Sequence, residues 1–530
     1  MAGIRRQATF LCASALAVLS AAAEPSYWQQ GRFPAVTSPA ETCVVVGEPF
    51  SFQVTYRCKR PWPVRMVGYA GKPLPETFAF DPKTGVLTGR MDAAGERMVT
   101  FVIDDEAGRT VTWGDLKVRA TPSRRQPKTL AGETFYQLQL PGFTESGDFA
   151  GVRRHLKRIA ELGVTWIYLS PITVADRGED QTYWSRRQRQ HGNPRNPYRP
   201  ADYYNVDPDY GSNAEFKELV TEAHRLGLKV MTDVVFFHCG PNAVFLKEHP
   251  DWICRDQDGK PVRNEWMFPK LNIASRELRK YLKDSLVMWA LDYGVDGFRT
   301  DCGCSIPLDF WEDCAATIDA KKRDFVWLLE GGKPEYGEKA YNIFYGFTCG
   351  HGGVNRAMDE IVPASVIREK WLEERLRGPA HAYFMRGTDT HDVANDDGER
   401  RQERRWGHRR AETALALSFA LDGPMMLWQG QEIGWDRPYC IFTRTCPDWE
   451  NPPVPERAET VRRLATLKRT EPAFGSDGRI VWLEPEKPDD QVLFLRVAPD
   501  GKTFRCFFDL LAGTWDIRAE QGGRGSSHEH

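Results

Sequence analysis

The sequence predicts an α/β fold in three parts: a (β/α)8 TIM barrel, an N-terminal β-sandwich before it and a small C-terminal β domain after it. Three observations carry that expectation. Between residues 134 and 429, short apolar runs alternate with amphipathic segments eight times, as a barrel of strand–helix units requires. From about residue 37 to 120, apolar and polar residues alternate with period two between turn sequences. After Arg479 the same short alternation returns.

In chain order, Arg5 and Arg6 precede an apolar run over 10–19, and Ala21-Ala22-Ala23 follows it. That is the layout of a cleaved secretory signal over 1–23, so the protein is expected to be exported, periplasmic or secreted. The run is too short to span a bilayer, and no membrane insertion is expected. Residues 33–120 form the sandwich, with Phe50, Phe52, Val54 and Tyr56 alternating, then Val99, Phe101 and Ile103. Turns at Asp81-Pro-Lys-Thr-Gly85 and Asp105-Glu-Ala-Gly108 separate strands, which should number roughly seven. The stretch Pro75-Glu-Thr-Phe-Ala-Phe-Asp-Pro-Lys-Thr-Gly-Val-Leu-Thr-Gly89 resembles bacterial Ig-like modules. Such a module would dock to glycan or to another protein, or only space the domains. Residues 121–128, with two prolines and two adjacent arginines, read as a linker.

The barrel is expected over 129–472. Its strands are predicted at 134–140, 164–169, 229–235, 294–301, 325–329, 342–347, 382–386 and 425–429. Helices are predicted at 152–162 and 275–293, and a further one is opened by Ser212-Asn-Ala-Glu215. That tetrapeptide is a capping box, and Phe216, Leu219, Val220, Ala223 and Leu226 then recur on one face until Gly227. The C-terminal β domain covers 473–521, with strands at 481–483, 492–497 and 503–508, and 522–530 reads as a disordered tail.

A formal net charge of -2 with mixed signs excludes a polyanion-binding surface, so no nucleic-acid partner is expected. Of the 12 cysteines, Cys12 lies in the signal, which leaves an odd number in the mature chain. Cys43 with Cys58 and Cys440 with Cys446 are plausible local pairs. Cys302, Cys304 and Cys314 have a C-x-C spacing without a matching second pair, which favours packing over a metal.

Charged and imidazole groups fall at the C-terminal ends of four strands: Asp233 and His238, Arg299 and Asp301, Glu330, then His391 and Asp392. Each alone has a structural explanation, and Asp233 could equally be a buried tie between loops. Together they occupy one mouth of one barrel, where such folds hold their chemistry. Two carboxyl groups flanking one bond suit glycoside cleavage, with a cationic transition state and a leaving oxygen that needs a proton. Arg299 projects to the same face as Asp301 and is expected to hold it ionised, while Asp301 and Asp392 are expected to keep a proton on Glu330.

The motifs Asp233-Val-Val-Phe-Phe-His238, Gly297-Phe-Arg-Thr-Asp301, Leu328-Leu-Glu330-Gly and Thr390-His-Asp392 stand in the order of the α-amylase family of retaining glycoside hydrolases (glycoside hydrolase family 13), which the chain resembles. Gly163-Val-Thr-Trp-Ile-Tyr-Leu-Ser-Pro171, Asp202-Tyr-Tyr-Asn-Val-Asp-Pro208, Pro269-Lys-Leu-Asn272 and Gly423-Pro-Met-Met-Leu-Trp-Gln-Gly-Gln-Glu432 extend the resemblance over about 130–480. It implies Asp301 as nucleophile, Glu330 as acid/base and Asp392 as the carboxylate that grips sugar hydroxyls. Arg299 would orient Asp301, His238 and His391 would hydrogen-bond the sugar, Tyr198 would stack on it, and Asp233 would brace the site from below.

The chain also departs from the family. Calcium-binding members commonly place Asn before the histidine of the first motif, where Phe237 cannot ligate a hard cation. No metal or other cofactor is therefore expected, calcium being the one the resemblance leaves open. Cys304-Ser305 stands where many members have Lys-His. Pro269-Lys-Leu-Asn272 resembles the neopullulanase and cyclomaltodextrinase version, which points to short or cyclic α-glucans. The reading is an exported retaining α-glycosidase acting on maltooligosaccharides or related α-glucans. The alternatives are an α-glucan transglycosylase and a non-catalytic glycan-binding protein.

Overall fold

The computed structural model describes residues 35–520, apart from 37, 39, 48, 58–61, 122–127, 379–381, 395–400 and 443. The expected signal, most of the linker, the tail and the Cys43–Cys58 pair lie outside the described residues. The N-terminal part is a β-sandwich. One sheet orders Glu41–Val45, Thr110–Thr121, Gly95–Asp104 and Val64–Gly68; the other orders Pro49–Gln53, Val86–Arg90 and Ala79–Asp81. The period-two alternation explains it, because Phe52, Leu87, Val99, Phe101, Ile103 and Val118 all face one buried layer.

The barrel strands are β1 (Thr134–Leu138), β2 (Trp166–Leu169), β3 (Lys229–Val235), β4 (Gly297–Asp301), β5 (Val326–Leu329), β6 (Ile343–Tyr345), β7 (Tyr383–Met385) and β8 (Met425–Trp428). All pair in parallel with their neighbours, and β8 returns to β1. A parallel bridge from Arg386 to Met425 closes the gap between β7 and β8. All eight strands lie where the apolar runs predict them.

Alternate residues point into the barrel and divide it into two levels. The lower level is apolar, with Phe135 stacked on Trp166 at 4.9 Å beside Met231, Val326 and Ile343. Gly297 faces this level from β4, and a Cβ there would sit 2.9 Å from Met231 and 3.2 Å from Trp166, so no larger residue fits. One pleat higher the same strands present Gln137, Tyr168, Asp233 and Arg299. Period two thus carries these four strands from an apolar floor to a polar mouth.

The helices start where their capping residues place them. Asp148 accepts from Gly151 N at 2.6 Å to open Phe149–Glu161. Ser212 and Glu215 exchange both capping-box bonds at the start of Asn213–Arg225. Ser275 accepts from Leu278 N at 3.2 Å ahead of Arg276–Leu291. Among the described residues no helix is long and apolar enough to cross a membrane.

The C-terminal sheet is an antiparallel meander of Arg479–Leu483, Gln491–Val497, Thr503–Asp509 and Thr514–Ala519. Its fourth strand was not predicted, because only Trp515 and Ile517 alternate in it and both are only partly buried at the sheet edge. Val481 and Val497 of this sheet pack with Val86 of the N-terminal sandwich in one buried cluster. Cys440 and Cys446 are not joined, a correction to the expected pair: the Cys440 Sγ lies 3.5 Å from His191 Nε2.

Candidate active site

Arg299, with 1% of its surface exposed, occupies the centre of the mouth. Nη1 donates to both oxygens of Asp233 at 2.7 and 2.8 Å and to Asp301 Oδ1 at 2.9 Å. Nη2 pairs with Glu330 Oε1 at 2.8 Å. One guanidinium thus serves three carboxylates from three neighbouring strand ends. Besides Asp301, toward which the sequence directs it, Arg299 therefore also holds Asp233 and Glu330. Asp233 also accepts from Tyr168 Oη at 3.2 Å and Tyr198 Oη at 3.1 Å, so it sits beneath the site as a fully engaged acceptor.

Asp301 ends β4 and points inward, and Glu330 follows β5 by one residue. A carboxylate oxygen of each and the Cys302 Sγ all lie within 4.8 Å of one another. Glu330 Oε2 accepts the Cys302 backbone N–H at 2.7 Å. Cys302 can offer that N–H because its backbone is left-handed, at φ 47°, a costly conformation for a residue with a Cβ. The expectation that Arg299 holds Asp301 ionised is corrected. Burial lifts the Asp301 carboxyl well above the usual carboxylate range; Arg299 opposes this, while Glu330, Asp233 and Asp392 add to it. Glu330 is not isolated among acids, since donors meet both its oxygens.

Asp392 lies on the short helix His391–Ala394, with 65% of its side chain open to solvent and Oδ2 3.5 Å from His391 Nε2. Desolvation at the cleft pushes its carboxyl up, but His391, Arg299, Arg187 and His351 together hold it below the usual range. His391 is fixed by Gln137 of β1. Gln137 Oε1 accepts the His391 backbone N–H at 3.3 Å, so its amide nitrogen faces His391 Nδ1 at 3.0 Å. Nδ1 is then the acceptor and Nε2 carries the proton beside Asp392. The Tyr198 ring stacks on His391 at 5.2 Å with planes 9° apart.

His238 does not take the predicted position. It is 1% exposed, and burial lowers its pKa to about 4. Nε2 donates to the Tyr198 carbonyl at 2.6 Å, and Nδ1 faces the Asn264 amide nitrogen at 3.0 Å. With both nitrogens occupied, His238 has no hydrogen bond left for a sugar. It clamps the Tyr198 loop to the turn that carries Asn264. Cys304 Sγ lies where a Cβ on Gly331 would be, 2.1 Å from it, so this thiol fills space behind Glu330.

Sequence reasoning missed Gln137, Asn264 and the Cys302 backbone. Gln137 had a signal, since it is a polar residue in a wholly buried strand. The other two act through main-chain or turn geometry, which residue type does not encode.

Residues 107–260 match the profile of the α-amylase catalytic domain. An intracellular maltogenic amylase of Bacillus subtilis is 25% identical over 398 residues, 70% of this chain and 63% of that one. A cyclomaltodextrinase of Geobacillus thermopakistaniensis is 32% identical over 201 residues, 34% of this chain and 31% of that one. The chain spans 63% of the length of the first of these relatives and less of the second. Among solved structures, the maltogenic α-amylase AmyB of Thermotoga neapolitana superposes with a TM-score of 0.64 at 22% identity, covering 72% of this chain and 87% of that one. An α-amylase of Lactobacillus plantarum gives 0.62 at 25% identity, covering 72% and 90%.

Proposed function

We propose, from the barrel's membership of the α-amylase family, that this protein hydrolyses α-glucosidic bonds with retention of configuration. The observation that carries the reading is the spacing of Asp301 and Glu330, whose facing atoms lie within 4.8 Å. Retaining enzymes hold their carboxyl groups at about 5 Å, whereas inverting enzymes leave room for a water between them.

In this reading burial and the neighbouring carboxylates favour a proton on Asp301 in the free enzyme, against the pull of Arg299. A bound glucan directs that proton to Glu330, which swings from Arg299 and Cys302 N–H to the glycosidic oxygen. Glu330 donates the proton as the bond to the leaving sugar breaks, and Asp301 bonds to the anomeric carbon to give a β-glycosyl ester. Water then gives its proton to Glu330 and attacks the same carbon, which frees Asp301 and releases an α-anomer. Asp392 and His391 Nε2–H grip hydroxyls of the reacting sugar, and Tyr198 offers its ring. Arg299 steadies Asp301 as charge leaves and returns.

Short or cyclic maltooligosaccharides are the proposed substrates. The support is Pro269-Lys-Leu-Asn272 and the likeness to proteins called maltogenic amylase and cyclomaltodextrinase. Export is proposed from the leader-like residues 1–23, in contrast to the relative called intracellular. The site chemistry assigned to these residues needs no metal. The test is proton NMR of maltotetraose hydrolysis: the first product should be the α-anomer, and Asp301→Ala should abolish turnover. A β-anomer, or an Asp301→Ala variant with wild-type rates, overturns the proposal.

A further inference from the structure

Between β2 and the helix Asn213–Arg225 the chain makes a long excursion that brings Tyr198 to the mouth, with a 3-10 turn at Gln181–Tyr183 and a short helix at Arg186–His191. At its centre is Arg199, whose side chain is wholly buried. Nη2 donates to the main-chain oxygens of Asp176 at 2.9 Å, Gly178 at 3.1 Å and Pro194 at 2.8 Å, and to Asp176 Oδ1 at 3.2 Å. Nη1 donates to the Tyr183 carbonyl at 2.9 Å, and Nε has no partner. Four oxygens crowd one nitrogen that carries two hydrogens, while the Nε hydrogen goes unused. Oxygens converging on one centre, with a single carboxylate among them, are the arrangement of a cage for a cation.

The cage has ties of its own. Asp176 Oδ1 accepts Gly178 N at 2.6 Å, and Oδ2 accepts Asn242 N at 2.7 Å. Trp184 Nε1 gives the Gly178 carbonyl a second bond at 2.8 Å, and Gln188 Nε2 gives one to the Pro194 carbonyl at 2.7 Å. These bonds turn the oxygens inward independently of the arginine, so a positive charge at the centre offsets their mutual repulsion. Arg199 is also the residue after Tyr198. Its N–H donates to Asn196 O at 2.9 Å, the Tyr198 N–H donates to Asn196 Oδ1 at 3.0 Å, and the Arg199 carbonyl accepts Asp176 N at 2.7 Å. Fixing this residue fixes, one peptide away, the ring that stacks on His391 and the hydroxyl that reaches Asp233.

We propose that Arg199 is the resident cation of an oxygen cage and, through it, the positioning residue for Tyr198. Its guanidinium gathers the beginning, middle and end of the loop and sets how Tyr198 meets the site. The catalytic half of this inference rests on the glycosidase reading above; the cage does not.

The test removes the side chain and returns its charged group from solution. Millimolar guanidinium chloride should raise the Tm of Arg199→Ala while leaving or lowering that of the wild type, for which the ion is only a denaturant. Urea, of the same planar shape without the charge, should not raise it. A Tm of Arg199→Ala that guanidinium does not raise, or that urea raises equally, would overturn the cage. If Arg199→Ala does not fold, Arg199→Lys should melt above Arg199→Met, and equal melting would overturn it. On maltotetraose, folded Arg199→Ala should lose roughly tenfold to a hundredfold in kcat/KM, and guanidinium should return most of that loss. In a Tyr198→Ala background the loss of Arg199 should add almost nothing, because both act through one ring; additive losses would overturn the positioning role. A wild type that left maltotetraose intact would remove the glycosidase reading and the positioning role with it, and the Tm comparison would still decide the cage.

Discussion

Arg299 Nη1 lies 2.9 Å from Asp301 Oδ1, and the same guanidinium holds Asp233 and Glu330 through its remaining contacts. A planar fork can serve three acceptors at once, whereas an ammonium is a single point charge. Arg299→Lys should therefore lower kcat/KM on maltotetraose by about a hundredfold or more. The sign of the pH effect also follows. Arg299 opposes the upward push of burial on Asp301, so weakening it raises that carboxyl further. The acid limb of the kcat/KM profile should move to higher pH, and a profile that keeps its limb would contradict the shared-guanidinium reading.

Glu330 is assigned the proton that the leaving oxygen receives. Fluoride departs without needing one, so Glu330→Gln should lose far more activity on maltotetraose than on α-maltosyl fluoride, by a factor on the order of 100 to 10,000. Parallel losses on the two substrates would remove Glu330 from the acid role.

Gln137 on β1 sets the tautomer of His391, which follows β7 on the same side of the barrel, through contacts of 3.0 and 3.3 Å. Gln137→Leu leaves both groups of His391 without that partner. A fall of about tenfold in kcat/KM is expected, the scale of one buried hydrogen bond. Unaltered kinetics in a folded Gln137→Leu variant would show that His391 orients itself.

His238 has a folded pKa of about 4, below the ordinary 6.5, because burial penalises its cation. The unfolded chain therefore binds a proton between pH 6.5 and 4 that the folded protein refuses. This contribution to stability is complete above about pH 6.5 and is lost as pH falls to about 4, a change of about 3 kcal/mol. His238→Gln removes a titrating group but keeps a hydrogen-bonding side chain. Urea midpoints at pH 7 and pH 4.5 should drop more for the wild type than for this variant.

Asp389 and Arg401, both buried, are joined at 2.8 Å at the base of the segment that carries His391 and Asp392. Asp389→Ala would leave the Arg401 cation buried without its counter-charge. Denaturant unfolding should show a loss of about 3 to 5 kcal/mol.

The barrel was legible because each of its strands is a short apolar run bounded by glycine or polar residues, and the carboxylates fall at the run ends. Asp301, Glu330, Asp233 and Arg299 could be placed together by that rule alone. How Arg299 divides its hydrogens among them was not legible, since it depends on the shear between β3, β4 and β5. His238 illustrates the other limit. Its position in the motif is visible in sequence, but whether its nitrogens face the cleft or its walls depends on Asn264, which is remote in the chain and anonymous in type. The strand Thr514–Ala519 turns only Trp515 and Ile517 toward the core, a period too short to announce a strand.

The cluster of Val86, Val481 and Val497 joins the first β unit of the chain to the last. During synthesis the N-terminal sandwich leaves the ribosome with Val86 uncovered, and the surface that covers it arrives only after the whole barrel has been made. The two ends of the chain thus act as a late latch. The contact forms only once residues 481–497 have been made, so a chain interrupted within the barrel leaves Val86 without these partners.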